Sequence, residues 1–249
     1  MNLEIKNCIV IPFFNEEKNL VLQDFQEFLS HNHDYFICFV DDGSNDNSKT
    51  IINNLMNDHP KQVNIITQNI NSGKAEAVRI GVNYCNNNYS FMTIGFLDAD
   101  LSTSLDEYKR VRNKINGEIE YCFASRIRRI GSKIDAKTHR VIIGKVLRLI
   151  INKILQLNAY DTQCGCKIFS KQLSEKIFIS KFISKWLFDV EIISRIIHIY
   201  GKKIAINKML EVPILNWVDK NNSNVKFTYM FMLWIDLIFI YINHRKNLT

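Results

Sequence analysis

Asp98 and Asp100 stand at alternate positions where an apolar run, Ile94-Gly95-Phe96-Leu97, gives way to polar sequence. In an open α/β sheet ligands gather just past the carboxyl ends of the strands, which is where this pair would sit. Carboxylates are costly to bury unpaired, but they suit a hard divalent cation. Mg²⁺ is usually held by one or two carboxylates together with the phosphates of a substrate. The pair reads as a clamp for a diphosphate and a metal, Mg²⁺ or Mn²⁺. A polar strand end without a ligand is the plain alternative for an isolated Asp-x-Asp, so the surrounding elements decide.

Those elements alternate. Residues 8–12 form a short apolar strand stopped by Pro12, and Asn15-Glu16-Glu17 opens a helix to about residue 30 with Asn15 as its N-cap. Residues 35–40 are a second strand, and their continuous apolarity predicts a parallel sheet covered on both faces. Asp46 and Ser48 can cap a helix through residue 59. A third strand follows at 64–67, then a helix from Ala75 to about residue 85 and the strand 91–97 that leads to the acid pair. This order predicts right-handed βαβ units in one doubly wound sheet.

Other strand ends carry related chemistry. Asp41 and Asp42 can accept hydrogen bonds from a nucleobase or ribose, and Gly43 lets the turn approach a ligand closely. Ser72-Gly73-Lys74 offers a flexible loop with one cation, fit for phosphate or base contacts. Neither Gly-x-Gly-x-x-Gly nor Gly-x-x-x-x-Gly-Lys-Ser/Thr occurs, so dinucleotide and P-loop sites lack their phosphate cradles.

The 249 residues suffice for a sizeable core. With 47% hydrophobic and 23% charged residues the chain is not disordered. The net charge of +7 suggests an anionic partner. Six cysteines without a Cys-x-x-Cys pair indicate neither a zinc framework nor a disulfide scaffold, and a reducing cytoplasm is the simpler assumption. The first residues lead straight into a strand without a signal-peptide core, so export is not expected.

Taken in order, Ile9-Val10-Ile11-Pro12-Phe13-Phe14-Asn15-Glu16-Glu17, Val40-Asp41-Asp42-Gly43-Ser44, Asn71-Ser72-Gly73-Lys74-Ala75 and Asp98-Ala99-Asp100 resemble the inverting glycosyltransferases of family 2. The resemblance spans about residues 7–220. It implies a GT-A fold, a Rossmann-like, mostly parallel mixed sheet flanked by helices. It also implies that Pro12, Asn15 and Glu16 border a nucleotide pocket, that Asp41 or Asp42 holds the base, that Gly73 and Lys74 belong to the donor site, and that Asp98 and Asp100 place a metal on the diphosphate.

Basic residues crowd the stretch after residue 109: Arg126, Arg128, Arg129, Lys133, Lys137, Arg140, Lys145 and Arg148. The apolar segment 121–125 reads as a strand delivering Arg126, and Arg140 follows on a helix; arginine suits bidentate phosphate recognition. Aromatics are not interleaved as stacking platforms, so nucleic acid is not the expected partner. Residues 141–157 are apolar with spaced basic residues, either a helix lying in a membrane interface or a core helix with snorkelling lysines.

Asp161-Thr162-Gln163-Cys164-Gly165-Cys166-Lys167, Trp186-Leu187-Phe188-Asp189-Val190-Glu191 and Glu211-Val212-Pro213 resemble the subgroup that builds polyprenyl-phosphate sugars. Cys166 replaces the usual aromatic there, which touches packing. Ser102 stands where mannosyl members often carry glutamine, which favours a glucosyl type. The resemblance implies hexose transfer from a nucleotide sugar of the UDP-glucose or GDP-mannose type to an isoprenoid lipid phosphate. Arg126 and Arg140 would take the acceptor phosphate. Asp161, Asp189 and Glu191 would serve as positioning groups or, secondarily, as a base. The alternatives are a family-2 transferase acting on a sugar hydroxyl and a silent nucleotide-sugar-binding protein. Residues 1–220 are expected to form the transferase domain and 221–249 an apolar interfacial or partner-binding helix, giving peripheral attachment to the cytoplasmic face of a membrane. An oligomer remains open.

Overall fold

The computed structural model describes residues 4–135, 138–220 and 227–246, with the side chains of 138–140, 142, 227–232 and 245–246 set aside. Nine strands occur among them: β1 (Asn7–Phe13), β2 (Tyr35–Asp41), β3 (Val63–Thr67), β4 (Thr93–Phe96), β5 (Tyr121–Ser125), β6 (Lys133–Asp135), β7 (Lys167–Ser170), β8 (Met209–Pro213) and β9 (Asn216–Val218). The helices are α1 (Leu22–His31), α2 (Ser48–Asp58), α3 (Lys74–Asn88), α4 (Leu105–Arg112), α5 (Thr138–Leu155), α6 (Lys171–Ile177), α7 (Phe188–Tyr200), α8 (Lys202–Lys208) and α9 (Phe227–Lys246).

Seven strands form one sheet in the order β3-β2-β1-β4-β7-β5-β8, while β6 and β9 pair separately. All neighbours in the large sheet run parallel except β7, which is antiparallel to both β4 and β5. The mixed, mostly parallel sheet matches the expectation. Successive residues of β1 serve opposite faces, as strand geometry requires. Cys8 and Val10 pack under α3, α6 and α7, and Ile9, Ile11 and Phe13 pack under α1, α2 and α4. Burying each such Ile or Phe contributes about 1.5–3 kcal/mol, and both faces are covered, which explains why β1 and β2 read as unbroken apolar runs.

The sheet opens at its centre. β1 pairs with β4 only as far as Val10 opposite Phe96, yet continues beside β2 to Phe13 opposite Asp41. Pro12 therefore lies beyond the β4 pairing, where a missing N–H costs no ladder bond on that side. Past Phe96 the chain turns away with Leu101 at φ 49°, and the gap between the two strand ends becomes a cleft.

The helix expected from Asn15 begins only at Leu22. Asn15 sits at φ 54°, a conformation asparagine tolerates, and residues 16–20 form a turn closed by Asn19 N–H to Glu16 O at 2.8 Å. Their side chains and amides bond across to the loop after β2 instead of starting a helix. The expected boundary at 220/221 falls at residues 221–226, outside the described residues. α9 packs on α5 and α7 through Leu237 and Ile240, while Trp234, Ile238 and Phe239 are exposed. No helix among the described residues is long and apolar enough to cross a membrane.

Candidate active site

Two loops on one side of the cleft are stapled together. Asn15 N–H donates to Ser44 Oγ at 3.1 Å, Asn45 N–H to Asn15 Oδ1 at 2.8 Å, and Glu16 N–H to Ser48 Oγ at 2.8 Å. Asp41 Oδ1 accepts from Ser44 N–H at 2.8 Å. Asp42 faces the next loop: Oδ1 accepts from Ser72 N–H at 2.7 Å and Gln68 Nε2 at 3.0 Å, and Oδ2 accepts from Gly73 N–H at 2.8 Å. Of the two acids expected at a nucleobase, Asp42 thus shapes the Ser72-Gly73-Lys74 loop. Gly73 adopts φ +93° against the Lys185 side chain, and both features disfavour a Cβ there.

Lys74, delivered by the first turn of α3, reaches into the cleft and pairs with Asp98 Oδ1. Burial opposes its charge, but Asp98, Asp189 and Asp100 outweigh burial and raise its pKa. Asp98 remains 40% exposed in its side chain, and its other oxygen lies over Gly165, where an added Cβ would fall 2.0 Å away. Asp100 is buried and accepts from Ser102 N–H and Oγ, each at 2.9 Å. Burial, then the charge of Asp98, pushes its carboxyl above the ordinary range. Glu16 is raised in the same way by burial, against its hydrogen bond from Asn19 and assisted by Asp100, Asp98 and Asp46. Three carboxyls thus share one field, and two of them are held partly against their charge. Of the three, Asp98 and Asp100 supply the hard oxygens that suit a dication whose other ligands come from a substrate and water.

Beneath the pair lies a buried counter-network. Lys167 on β7 is fully buried, 2.9 Å from Asp189 Oδ1, and donates to Cys164 O at 2.5 Å. Burial raises the Asp189 carboxyl, with Lys167 and Lys74 opposing. Asp189 is therefore paired with Lys167 and stands in the field of Lys74. Glu191, two residues along α7, does not join it: it is buried, accepts from Ile183 N–H at 2.8 Å and pairs with Arg195 at 2.7 Å. Its carboxylate staples the loop before α7.

Across the cleft, β5 delivers Arg126. Its Nε and Nη2 donate to Asp161 at 2.6 and 2.9 Å, and its backbone N–H to the same carboxylate at 3.0 Å. Burial raises the Asp161 carboxyl, but Arg126 outweighs it and holds Asp161 below the usual range. Arg126 likewise has its charge opposed by burial and secured by Asp161, with Asp98 also contributing. The two sides of the cleft are therefore in one another's field. Glu211 on β8 receives the N–H groups of Tyr160 and Asp161 at 2.8 and 2.7 Å and fixes that turn.

Arg126, Arg128, Lys145 and Arg148 converge on a cavity of about 150 Å³, with Tyr160, Asp161 and Trp217 in its wall. The guanidinium of Arg126 stacks 5.1 Å from the Trp217 ring centroid and that of Arg148 lies 4.6 Å from Tyr160. Four cations facing one carboxylate make a receptor for an anion, and stacked arginines are pre-organised for it. Arg140 stands on the first turn of α5, and its side chain lies outside the described residues. Lys145, Arg148, Tyr160, Lys167 and Glu211 were not singled out as site residues from sequence. The sole hint for the first two was the basic spacing along residues 141–157, which also fitted a membrane-facing helix.

Residues 8–178, more than half of the chain, match the family described as Glycosyl transferase family 2. The chain belongs to that family. It is accordingly a glycosyltransferase. Among individual members, a dolichyl-phosphate beta-glucosyltransferase of Trichomonas vaginalis is 27% identical over 250 residues, covering 95% of this chain and 73% of that one. The dolichyl-phosphate beta-glucosyltransferase of Homo sapiens is 26% identical, with 93% and 74% covered. Among solved structures, glucosyl-3-phosphoglycerate synthase of Mycobacterium tuberculosis, in complex with Mn²⁺, uridine diphosphate and glucosyl-3-phosphoglycerate, superposes with a TM-score of 0.69 at 12% identity, covering 96% of this chain and 80% of that one. That likeness establishes the GT-A-type fold and carries no more than the fold.

Proposed function

We propose that this chain transfers glucose from UDP-glucose to a polyprenyl phosphate of the dolichyl type, with inversion at the anomeric carbon. The observation that carries the reading is the cavity of Arg126, Arg128, Lys145 and Arg148 beside the Asp98/Asp100 pair. A donor diphosphate and an acceptor phosphate are both anionic, and the cleft supplies cations on one side and a cation-binding pair on the other. The names of the relatives, dolichyl-phosphate beta-glucosyltransferases, support the same acceptor and sugar.

On this reading Pro12, Asn15, Glu16 and Asp41 border the nucleotide, while Asp42 shapes the loop that presents Gly73 and Lys74 to it. Mg²⁺ or Mn²⁺ held by Asp98 and Asp100 would supply Lewis-acid neutralisation of charge on the leaving nucleoside diphosphate. Among the described residues no three His, Cys, Asp or Glu side chains are grouped to enclose a metal, so the remaining ligands would come from the diphosphate and water. Lys74 adds a second cation at the same edge. Arg126, anchored by Asp161, orients the acceptor phosphate with Arg148 and Lys145. One phosphate oxygen attacks the anomeric carbon from the face opposite the departing diphosphate, which inverts the centre.

A phosphate monoester is largely dianionic near neutrality, its second pKa being about 6, so attack needs no strong base. Asp189, clasped by Lys167, then acts by securing the charge of Lys74, which pairs with Asp98. A sugar-hydroxyl acceptor would need a base and would not call for four cations, so the cavity favours phosphate. Ile143, Val146 and Leu149 are exposed on α5, which also carries Lys145 and Lys153, and Trp234, Ile238 and Phe239 are exposed on α9, where Trp234 and Ile238 line a cavity with Lys153. We assign them to peripheral contact with the membrane that holds the lipid.

The test offers labelled UDP-glucose, GDP-mannose and UDP-GlcNAc, each with polyprenyl phosphate or with soluble glycans. Label moving from UDP-glucose into an anionic, solvent-extractable lipid supports the reading. Label entering only the glycans refutes it.

A further inference from the structure

Asp236 is the one charged residue between Phe227 and Asn243, a stretch otherwise dominated by apolar side chains. A carboxylate among apolar neighbours is costly unless something bonds it. Its partner is Ser184, a buried residue in the loop between α6 and α7, whose Oγ donates to Asp236 Oδ2 at 2.5 Å. A hydroxyl has one hydrogen and two lone pairs. With the hydrogen committed to Asp236, Ser184 Oγ accepts from Leu187 N–H at 2.7 Å and Trp186 N–H at 3.2 Å. This turn leads directly into α7, whose N-cap residue, Leu187, has no side-chain acceptor of its own.

What the turn carries lies on both sides of the cleft's edge. Lys185 lays its aliphatic carbons against Gly73, with Cδ, Cβ and Cγ 3.2–3.4 Å from where a Cβ would stand, next to Lys74. Two residues beyond Leu187, Asp189 meets Lys167 at 2.9 Å and acts on the charge of Lys74. A displaced 184–187 turn would therefore shift the donor loop and the carboxylate behind Lys74 together.

We propose that Asp236 is a positioning residue for transfer: acting through the Ser184 hydroxyl, it sets the turn that holds the Gly73-Lys74 loop and Asp189 in register, so that a formed donor site depends on α9 being seated. The proposal deepens the function above and rests on it.

The test compares Asp236→Ala, Asp236→Asn, Ser184→Ala and the double alanine variant, by amide hydrogen exchange at 186 and 187 without substrate and by transfer kinetics. Loss of one hydrogen bond to a charged group corresponds to roughly a tenfold change. Exchange at both amides should quicken by about that factor in Asp236→Ala and Ser184→Ala, and kcat/KM for the nucleotide sugar should fall similarly, with KM for the lipid phosphate within about twofold. Because Ser184→Ala already removes the oxygen through which Asp236 acts, the double variant should be no worse than Ser184→Ala alone. Asp236→Asn keeps an oxygen acceptor and should restore exchange and kinetics. Should Asp236→Ala not fold, Ser184→Ala and Asp236→Asn carry the same expectations. Unchanged exchange in the alanine variants, losses that multiply in the double, or Asp236→Asn as impaired as alanine would each overturn the proposal. A wild-type chain that transfers no sugar counts against the function, whereas exchange at 186 and 187 still decides the linkage.

Discussion

Arg126 and Asp161 are locked in a fork, Nε to Oδ2 at 2.6 Å and Nη2 to Oδ1 at 2.9 Å, and the Arg126 backbone N–H shares Oδ2 at 3.0 Å. The carboxylate fixes the guanidinium in the wall of the basic cavity instead of leaving it to fold back on Asp98. Arg126→Lys keeps the charge but cannot reproduce the fork, so acceptor kcat/KM should fall roughly 10- to 100-fold. Donor KM should hold. Asp161→Ala leaves a half-buried cation unpaired and should cost about 2 kcal/mol, or roughly 4–8 °C of melting temperature for a chain of this size. Steady-state kinetics and calorimetry read the two effects.

The Asp98/Asp100 pair should trade stability for activity. The Asp100 carboxyl has its pKa raised by burial and by Asp98. A raised acid binds its proton more readily in the fold than in the unfolded chain, so at neutral pH its charge subtracts from stability. Asp100→Asn should therefore melt no lower than wild type in metal-free buffer while abolishing transfer. Mn²⁺ with UDP should raise the wild-type melting temperature and leave the variant unmoved. Chelation of divalent ions should silence the wild type reversibly.

His198 and His244 couple α7 to α9. Their rings stack 4.9 Å apart, His244 Nδ1 meets Ser194 Oγ at 2.7 Å, and His198 Nε2 meets His244 O at 3.1 Å. Burial lowers both pKa values below the ordinary 6.5, and for His244 the neighbouring His198 adds to it. Above 6.5 both states are neutral and nothing is lost. As pH falls below 6.5 the undocked ring takes a proton that the docked ring refuses, so docking weakens. Protection of the α9 amides, taken as the exchange rate relative to that of an unstructured peptide at the same pH, should be constant from pH 8 to about 7 and fall toward pH 5. His244→Phe should flatten that dependence.

Apolar exposure on α5 and α9 should make membrane contact measurable. Cosedimentation with anionic vesicles should exceed that with neutral ones and decline with salt. Trp234→Ser with Phe239→Ser should reduce it at every salt concentration while leaving transfer to a detergent-dispersed short-chain polyprenyl phosphate unchanged. Equal binding by the variant would remove the assignment.

Much of this was legible in the residues because it depends on local pattern. Continuous apolarity marked β1 and β2 as strands buried on both faces, and Asp98 and Asp100 declared themselves by ending such a run. Arg126 followed from the next one. Long-range pairing was not legible: nothing local to residues 167–170 announces that β7 inserts antiparallel between β4 and β5 and buries Lys167 under the acid pair. Asn15 carried helix-capping chemistry but spends it on Ser44 and Asn45, thirty residues away at most. Glu191 and Asp189 look alike in sequence, and only packing turns one toward Lys167 and the other toward Arg195. Tyr160 and Arg148 meet across a chain reversal that spacing does not encode.

The product itself tests the account most directly. Incubation of the chain with UDP-glucose, Mn²⁺ and a short-chain polyprenyl phosphate, followed by proton and phosphorus NMR of the purified lipid, reports both the new bond and its configuration. A β-linked glucosyl phosphodiester, its anomeric proton coupled to phosphorus, is the predicted result. An α-linked product, a glycosidic bond without phosphorus coupling, or free glucose as the sole product would contradict it.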